Sequence, residues 1–169
     1  MRSLGTELSD GLVRLREIEP TDAELLYSLR MNPQSREMFR NTGVIPFESH
    51  AAMVEHYLSG SSPGYWFVIE AANGPVGTIS LYDFDDGGRA CEFGRFAISP
   101  DARNSGYGRR ALRLVMQFAG SIGVRRLYCE VLSTNSAALH LYRDLGLAEM
   151  SAENVEGRTF VKMVAELGV

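Results

Sequence analysis

The chain has 169 residues, 45% of them hydrophobic and 22% charged, with a formal net charge of −4. That length suits one domain, expected over residues 1–169, with enough chain to bury a substantial core. The acidic balance argues against a nucleic-acid coat, no apolar run reaches the roughly 20 residues of a membrane helix, and the first residues lack a secretory leader's apolar stretch. The cytoplasm is the default compartment, with no nucleic-acid or membrane partner expected. Cys91 and Cys129 lie in strand-like runs without CxxC or His/Cys spacing, so neither metal site nor disulfide framework is expected, only buried reduced thiols.

Leu12 to Ile18 alternates apolar and charged residues, as a half-buried strand does. "PTDAELLYSLRMNP" begins a helix that Thr21 and Glu24 can cap as a box and that Pro33 ends. "PFESHAAMVEHYLSG" is a second helical stretch, stopped at Gly60. Tyr65–Ala71 and Val76–Phe84 are strands joined by a hairpin at Asn73–Gly74. A turn at Asp85–Gly88 leads to a third strand, Ala90–Ile98. A helix follows, with apolar positions Ala111, Val115, Phe118, Ala119 and Ile122, ended by Gly120 and Gly123. Arg125–Leu132 is a strand, "NSAALHLYRDLG" a helix closed by Gly146, and "GRTFVKMVAEL" a last strand. Strand, helix, strand from Ala90 to Val131 predicts a right-handed parallel crossover. The predicted class is α/β: a mixed sheet, an antiparallel meander joined to one parallel βαβ unit, with helices on both faces.

Between the third strand and its helix stands "RNSGYGRRAL", with Gly106, Gly108 and Arg103, Arg109 and Arg110 in one turn. A helix N-terminus offers unpaired N–H groups and the positive end of a dipole, and glycines let the backbone approach an anion. This is a site for a phosphate or pyrophosphate. It lacks the Gly-Lys-Ser/Thr of a Walker A loop, and it does not sit in the first βα turn of a dinucleotide-binding fold. A plain glycine-rich connection with a solvated arginine face remains the alternative.

"FAISPDARNSGYGRRAL" and "VLSTNSAALHLYRDLGL" together resemble the GNAT superfamily of acyl-CoA-dependent N-acetyltransferases. The first is similar to that family's strand followed by R/Q-x-x-G-x-G/A, the second to N-x-x-A-x-x-L/F-Y-x-x-x-G-F/L. Asn104 departs from the usual Gly, and Asn tolerates the left-handed region. The resemblance implies acetyl-CoA as co-substrate, no metal, and direct attack by an amine. It implies that the amides of Asn104, Gly106, Tyr107, Gly108 and Arg109, with Arg103 beside them, hold the pyrophosphate. Backbone groups of Phe96 and Ile98 would pair with the pantetheine arm where the strand splays from its neighbour, and Asn135 would contact the cofactor.

In the same way Tyr142 is expected as general acid to the sulfur, although it can also simply pack against Ala138 and Leu145. Glu92 is expected as base, directly or through water, sharing a face with Gly94, Phe96 and Ile98 unless a bulge breaks the parity. An exposed edge-strand glutamate is its alternative. His50 and His56 read as solvated. The segment from Leu29 to Leu58 is similar to the amino-sugar-nucleotide and ribosomal-protein N-terminal acetyltransferase branches. It suggests a small-molecule amine acceptor such as a nucleotide-linked amino sugar, with Arg30, Arg36, Arg40 and His50 near its phosphates or simply solvated. A peptide N-terminus, a polyamine or antibiotic acceptor, and a non-catalytic CoA sensor are the rivals. A homodimer is compatible with the family.

Overall fold

The central strand "YWFVIEA" sorts its side chains by parity, Phe67 and Ile69 into one apolar cluster and Trp66 and Val68 into another. Successive residues of a strand point to opposite faces, so this strand is covered on both sides. A computed structural model describes residues 7–168. The strands are β1 Leu8–Ser9, β2 Arg14–Glu17, β3 Tyr65–Ala71, β4 Gly74–Tyr82, β5 Ala90–Ile98, β6 Arg126–Leu132, β7 Ala148–Val155 and β8 Arg158–Glu166. They form one sheet in the order β1-β2-β3-β4-β5-β6-β8-β7, in which only β5 and β6 pair in parallel. The helices are α1 Ala23–Met31, α2 Pro33–Arg36, α3 Phe47–Leu58, α4 Tyr107–Ser121 and α5 Ser136–Asp144. This is the mixed α/β architecture expected from the sequence.

Helices α4 and α5 cover one face. Ala111, Leu112, Val115, Phe118 and Ala119 repeat at the helical period and are buried against the sheet. Phe118 meets Tyr65 and Phe67 edge-on, with ring centroids 4.8 and 5.7 Å apart. Burying such an aromatic contributes about 2–3 kcal/mol. On the other face Leu26 of α1 and Val54 of α3 pack with Ile18, Trp66 and Val68.

Several local expectations are corrected. The turn before α1 is held by Asp22, whose carboxylate accepts from the Glu19 N–H at 2.7 Å, and Thr21 is exposed. Pro33 does not end the helical path but opens α2, with Asn32 accepting from the Gln34 and Ser35 amides. The first hairpin loop is Ala72–Asn73, since Ala71 pairs with Gly74. Ile122 lies beyond α4 and is 39% exposed. Strand β7 was not foreseen. It is an edge strand, exposed along nearly its whole length, so no apolar alternation marks it. Its turn to β8 uses Glu156 and Gly157, both at positive φ.

Candidate active site

Strands β5 and β6 pair only over Ala90–Glu92 with Arg126–Tyr128 and then part. Beyond Glu92 the edge of β5 that faces β6 has no partner strand. The cause is local: the β4–β5 register shifts between Thr78 and Ser80, where Thr78 opposes Ala97 and Ser80 opposes Gly94. The extra residue on β5 includes Arg95, at φ 45. Such a bulge bends a strand and resets its parity. The gap opens into a cleft of about 1050 Å³.

The bulge corrects the expected face. Phe96 rejoins the side of Phe93, with ring centroids 6.4 Å apart, and lies with Ile98 against Gly108. Glu92 and Arg95 share the opposite face with Tyr82. Lone Gly94, inside a strand pattern, is the sequence signal for this bulge. It also has a second role, because a Cβ there would collide with the Tyr82 hydroxyl.

At one end of the cleft stands the glycine turn. Asn104 (φ 59) and Gly106 (φ 78) are left-handed, and Gly106 caps α4 without a side-chain hydrogen bond. The amides of Asn104, Ser105, Gly106, Tyr107, Gly108 and Arg109 find no acceptor among the described residues. Consecutive free N–H groups around left-handed residues, ahead of a helix dipole, form a cradle for an anion. A diphosphate fits such a donor set.

The side chains around the cradle are already engaged. Arg103 donates to Ile98 O (3.2 Å), Gln34 Oε1 (2.7 Å) and Ser35 Oγ (2.9 Å), so it clamps the turn to α2 instead of standing free beside a phosphate. Arg109 pairs with Asp144 and Arg110 with Asp10, at 2.8 and 2.7 Å. The Asn135 side-chain oxygen caps α5 by accepting from the Ala138 amide at 3.2 Å.

Tyr142, on α5, is 7% exposed and meets the Phe93 ring edge-on at 5.3 Å. It lines the cleft. Burial, with Cys129 and Tyr82 nearby, pushes its pKa well above the ordinary phenol value, so the proton stays on.

Glu92 lies on the opposite side of β5 and is half-buried, not an exposed edge glutamate. Burial raises its pKa, the Tyr82 hydroxyl bond at 3.1 Å opposes this, and Glu130 and Asp83 add to it. A carboxylate held this way is a stronger base than an ordinary glutamate.

His50 is not solvated as expected. It is 2% exposed, flanked edge-on by Tyr27 and Trp66, and its Nδ1 has no partner. His56 is exposed as expected. Arg40 pairs with Glu130 and Glu153 at 2.9 and 3.0 Å, and Arg36 lies outside the cleft lining, so of the early arginines only Arg30 presents an unpaired group there. Arg158 donates to the carbonyls of Glu37, Phe39 and Arg40 and pins that wall of the cleft. Tyr82 and Arg95 went unnoticed in the sequence.

Both cysteines are buried thiols, with Cys91 pushed up to about 12 by burial. No group of three or more His, Cys, Asp or Glu among the described residues could hold a metal ion, and no helix there is long and apolar enough to cross a membrane.

Residues 13–148 match the acetyltransferase (GNAT) domain family. The spermidine N(1)-acetyltransferase of Escherichia coli K12 is 26% identical over 137 residues, covering 80% of this chain and 73% of that protein. The spermidine N-acetyltransferase of Vibrio cholerae, solved with CoA and spermine, superposes with a TM-score of 0.84 at 19% identity, covering 94% of this chain and 97% of that one. The ribosomal-protein α-N-acetyltransferase RimL, solved with coenzyme A, gives 0.82 at 14% identity over 96% of this chain and 98% of that one. A parted parallel pair, a glycine turn of free amides and a family match over most of the chain agree: the chain belongs to the GNAT acetyltransferases and is an acetyl-CoA-dependent N-acetyltransferase.

Proposed function

We propose that this chain acetylates the primary amine of a small molecule by direct attack, with Glu92 as proton acceptor and Tyr142 as proton donor. The observation that carries this reading is their placement: Glu92 and Tyr142 line one cleft from opposite faces of the parted β5 strand. Bound acetyl-CoA supplies an activated acyl group and a thiolate leaving group. The amides from Asn104 to Arg109 hold its diphosphate, and Phe96 and Ile98 flank the arm along the free edge of β5. Glu92, directly or through a water, takes the proton that the attacking amine must lose. Tyr142 keeps its proton at neutral pH and gives it to the departing sulfur, each transfer contributing about 10²–10⁴-fold. Arg103 acts on the cofactor site through the turn that it clamps.

The nucleotide-linked amino sugar remains the favoured acceptor class over the polyamine for which the spermidine relatives are named. Arg30 and Arg95 at the acceptor end are the wrong sign for a polycation. Release of free thiol from acetyl-CoA, followed across a panel of amines, tests the reaction. Thiol appears only when an acceptor is present; CoA binding without turnover across the whole panel would replace this reading with a CoA-binding sensor.

A further inference from the structure

The acceptor end of the cleft carries charge that the two proton transfers do not use. Three basic side chains converge there from three elements: Arg30 on α1, His50 on α3 and Arg95 in the β5 bulge. His50 feels both arginines, which add to burial in lowering its pKa. Arg95 lies over the rings of Trp66 and Tyr82, 4.7 and 4.8 Å from their centroids, and donates to Ser80 Oγ at 3.3 Å. It forms no ion pair among the described residues. Arg30 donates Nη2 to the Asn41 carbonyl at 2.6 Å and lies over Phe39, but its Nη1 is buried without an acceptor. Among the described residues, the buried side-chain nitrogens and oxygens without a partner are that Nη1 and Nδ1 of His50. Both residues line the cleft.

A buried polar group without a partner carries its full desolvation cost, and a buried unpaired guanidinium carries more. Contact with aromatic faces offsets part of this for Arg95. Those contacts occupy the flat face of the guanidinium, while its donors lie in the plane, where those not given to Ser80 Oγ can meet a planar or tetrahedral oxyanion. The carboxylates nearby do not neutralise the cluster. Glu130 is held by Arg40, and Asp83 and Glu92 attract Arg95 only from beyond ion-pair distance.

We infer that the acceptor amine carries an oxyanion, a carboxylate or a phosphate, seated on Arg95 with Arg30 and His50 around it. This assignment rests on the acetyl-transfer reading above and narrows its substrate class. Tyr82 bridges the two functions: its hydroxyl bonds Glu92 while its ring lies under Arg95. The oxyanion and the amine are therefore separated by a short linker spanning one tyrosine ring.

Acceptor pairs that differ only in the oxyanion test this: an amino acid against its amide, and an aminoalkyl phosphate against the amino alcohol, with spermidine as a polycation. The oxyanion-bearing member has at least a tenfold higher kcat/KM in one pair, and which pair responds separates carboxylate from phosphate. Arg95→Gln erases that preference through KM for the acceptor while leaving KM for acetyl-CoA unchanged, and Arg95→Lys restores part of it. Equal use of both members of each pair, or preference for spermidine, overturns the seat.

Thermal melting with CoA saturating, and succinate or inorganic phosphate added, reads the seat without turnover. Wild type melts higher with one of these anions, and Arg95→Gln does not. That shift without turnover of any amine keeps the seat and overturns acetyl transfer; turnover without shift or preference overturns the seat alone. Should Arg95→Gln lose CoA binding through misfolding, Arg30→Gln carries the same comparison.

Discussion

The Tyr82 hydroxyl donates to Glu92 Oε1 at 3.1 Å, across two antiparallel strands and over the bare Cα of Gly94. Burial raises the Glu92 pKa, and this bond is the largest influence opposing the rise. Tyr82→Phe removes a donor to the ionised form, so the pKa of Glu92 moves further up. The acidic limb of the kcat/KM profile then shifts to higher pH. An unmoved limb in the variant would remove Glu92 from the role of base.

Tyr142→Phe keeps the edge-on contact with Phe93 and deletes only the hydroxyl. Turnover is expected to fall about 10²-fold or more. The dissociation constant for CoA, measured by calorimetry, stays within about twofold, since the proposed diphosphate cradle is the turn from Asn104 to Arg109 at the start of α4. Unchanged kcat would leave Tyr142 as a packing residue.

Gly106 sits at φ 78, where a β-branched residue is strained by roughly 1–2 kcal/mol. Gly106→Val relaxes by turning its neighbouring amides away from the cradle. The KM for acetyl-CoA rises tenfold or more, whereas S-acetyl-pantetheine, which lacks the diphosphate, is used as by wild type. Equal damage to both donors would place the defect outside the anion cradle.

Outside the cleft lining, Arg16 joins the turn before α1 to β3, bonding Asp22 and Glu70, each at 2.9 Å. Burial alone would raise both carboxyl pKa values, but Arg16, together with the Glu19 amide at Asp22 and Arg14 at Glu70, outweighs it and lowers them. A depressed carboxyl contributes stability that is present above its unfolded-state pKa and is lost as pH falls through the lowered folded value. Arg16→Met is expected to cost about 2 kcal/mol at pH 7 in urea unfolding. The gap to wild type narrows as the pH falls through the lowered carboxyl range. A gap independent of pH would mean that Arg16 acts by packing alone.

The glycine turn ahead of α4 was legible in the sequence because it is built from backbone. Glycine and asparagine at fixed offsets before a helix report conformation directly, and Asn104 does take the left-handed form that its side chain tolerates. The sheet and its two helical layers were legible for the same reason, through period and turn chemistry. The clamp formed by Arg103 was not legible, because charge alone does not say that its donors turn onto Ile98, Gln34 and Ser35. His50 was misread because one turn of polar residues looks solvated until α1 and β3 close over it. Strand β7 left no trace, since an edge exposed on both faces needs no apolar alternation. The end of the cleft lined by Arg30, His50, Tyr82 and Arg95 depends on side chains from α1, α3, β4 and β5 that meet only in three dimensions.

The extra residue at Arg95 turns the length of β5 into information. Before it, the strand presents Glu92 to one compartment and Phe93 to the other. After it, the count starts again, and Phe96 joins Phe93 on the side facing Gly108. A chain shortened by one residue here would keep nearly every functional side chain and still aim the later ones into the wrong compartment. Substitutions in this strand can be graded by chemistry, but a deletion swaps inside for outside, which makes the spacing between Glu92 and Ile98 the least negotiable dimension of the site.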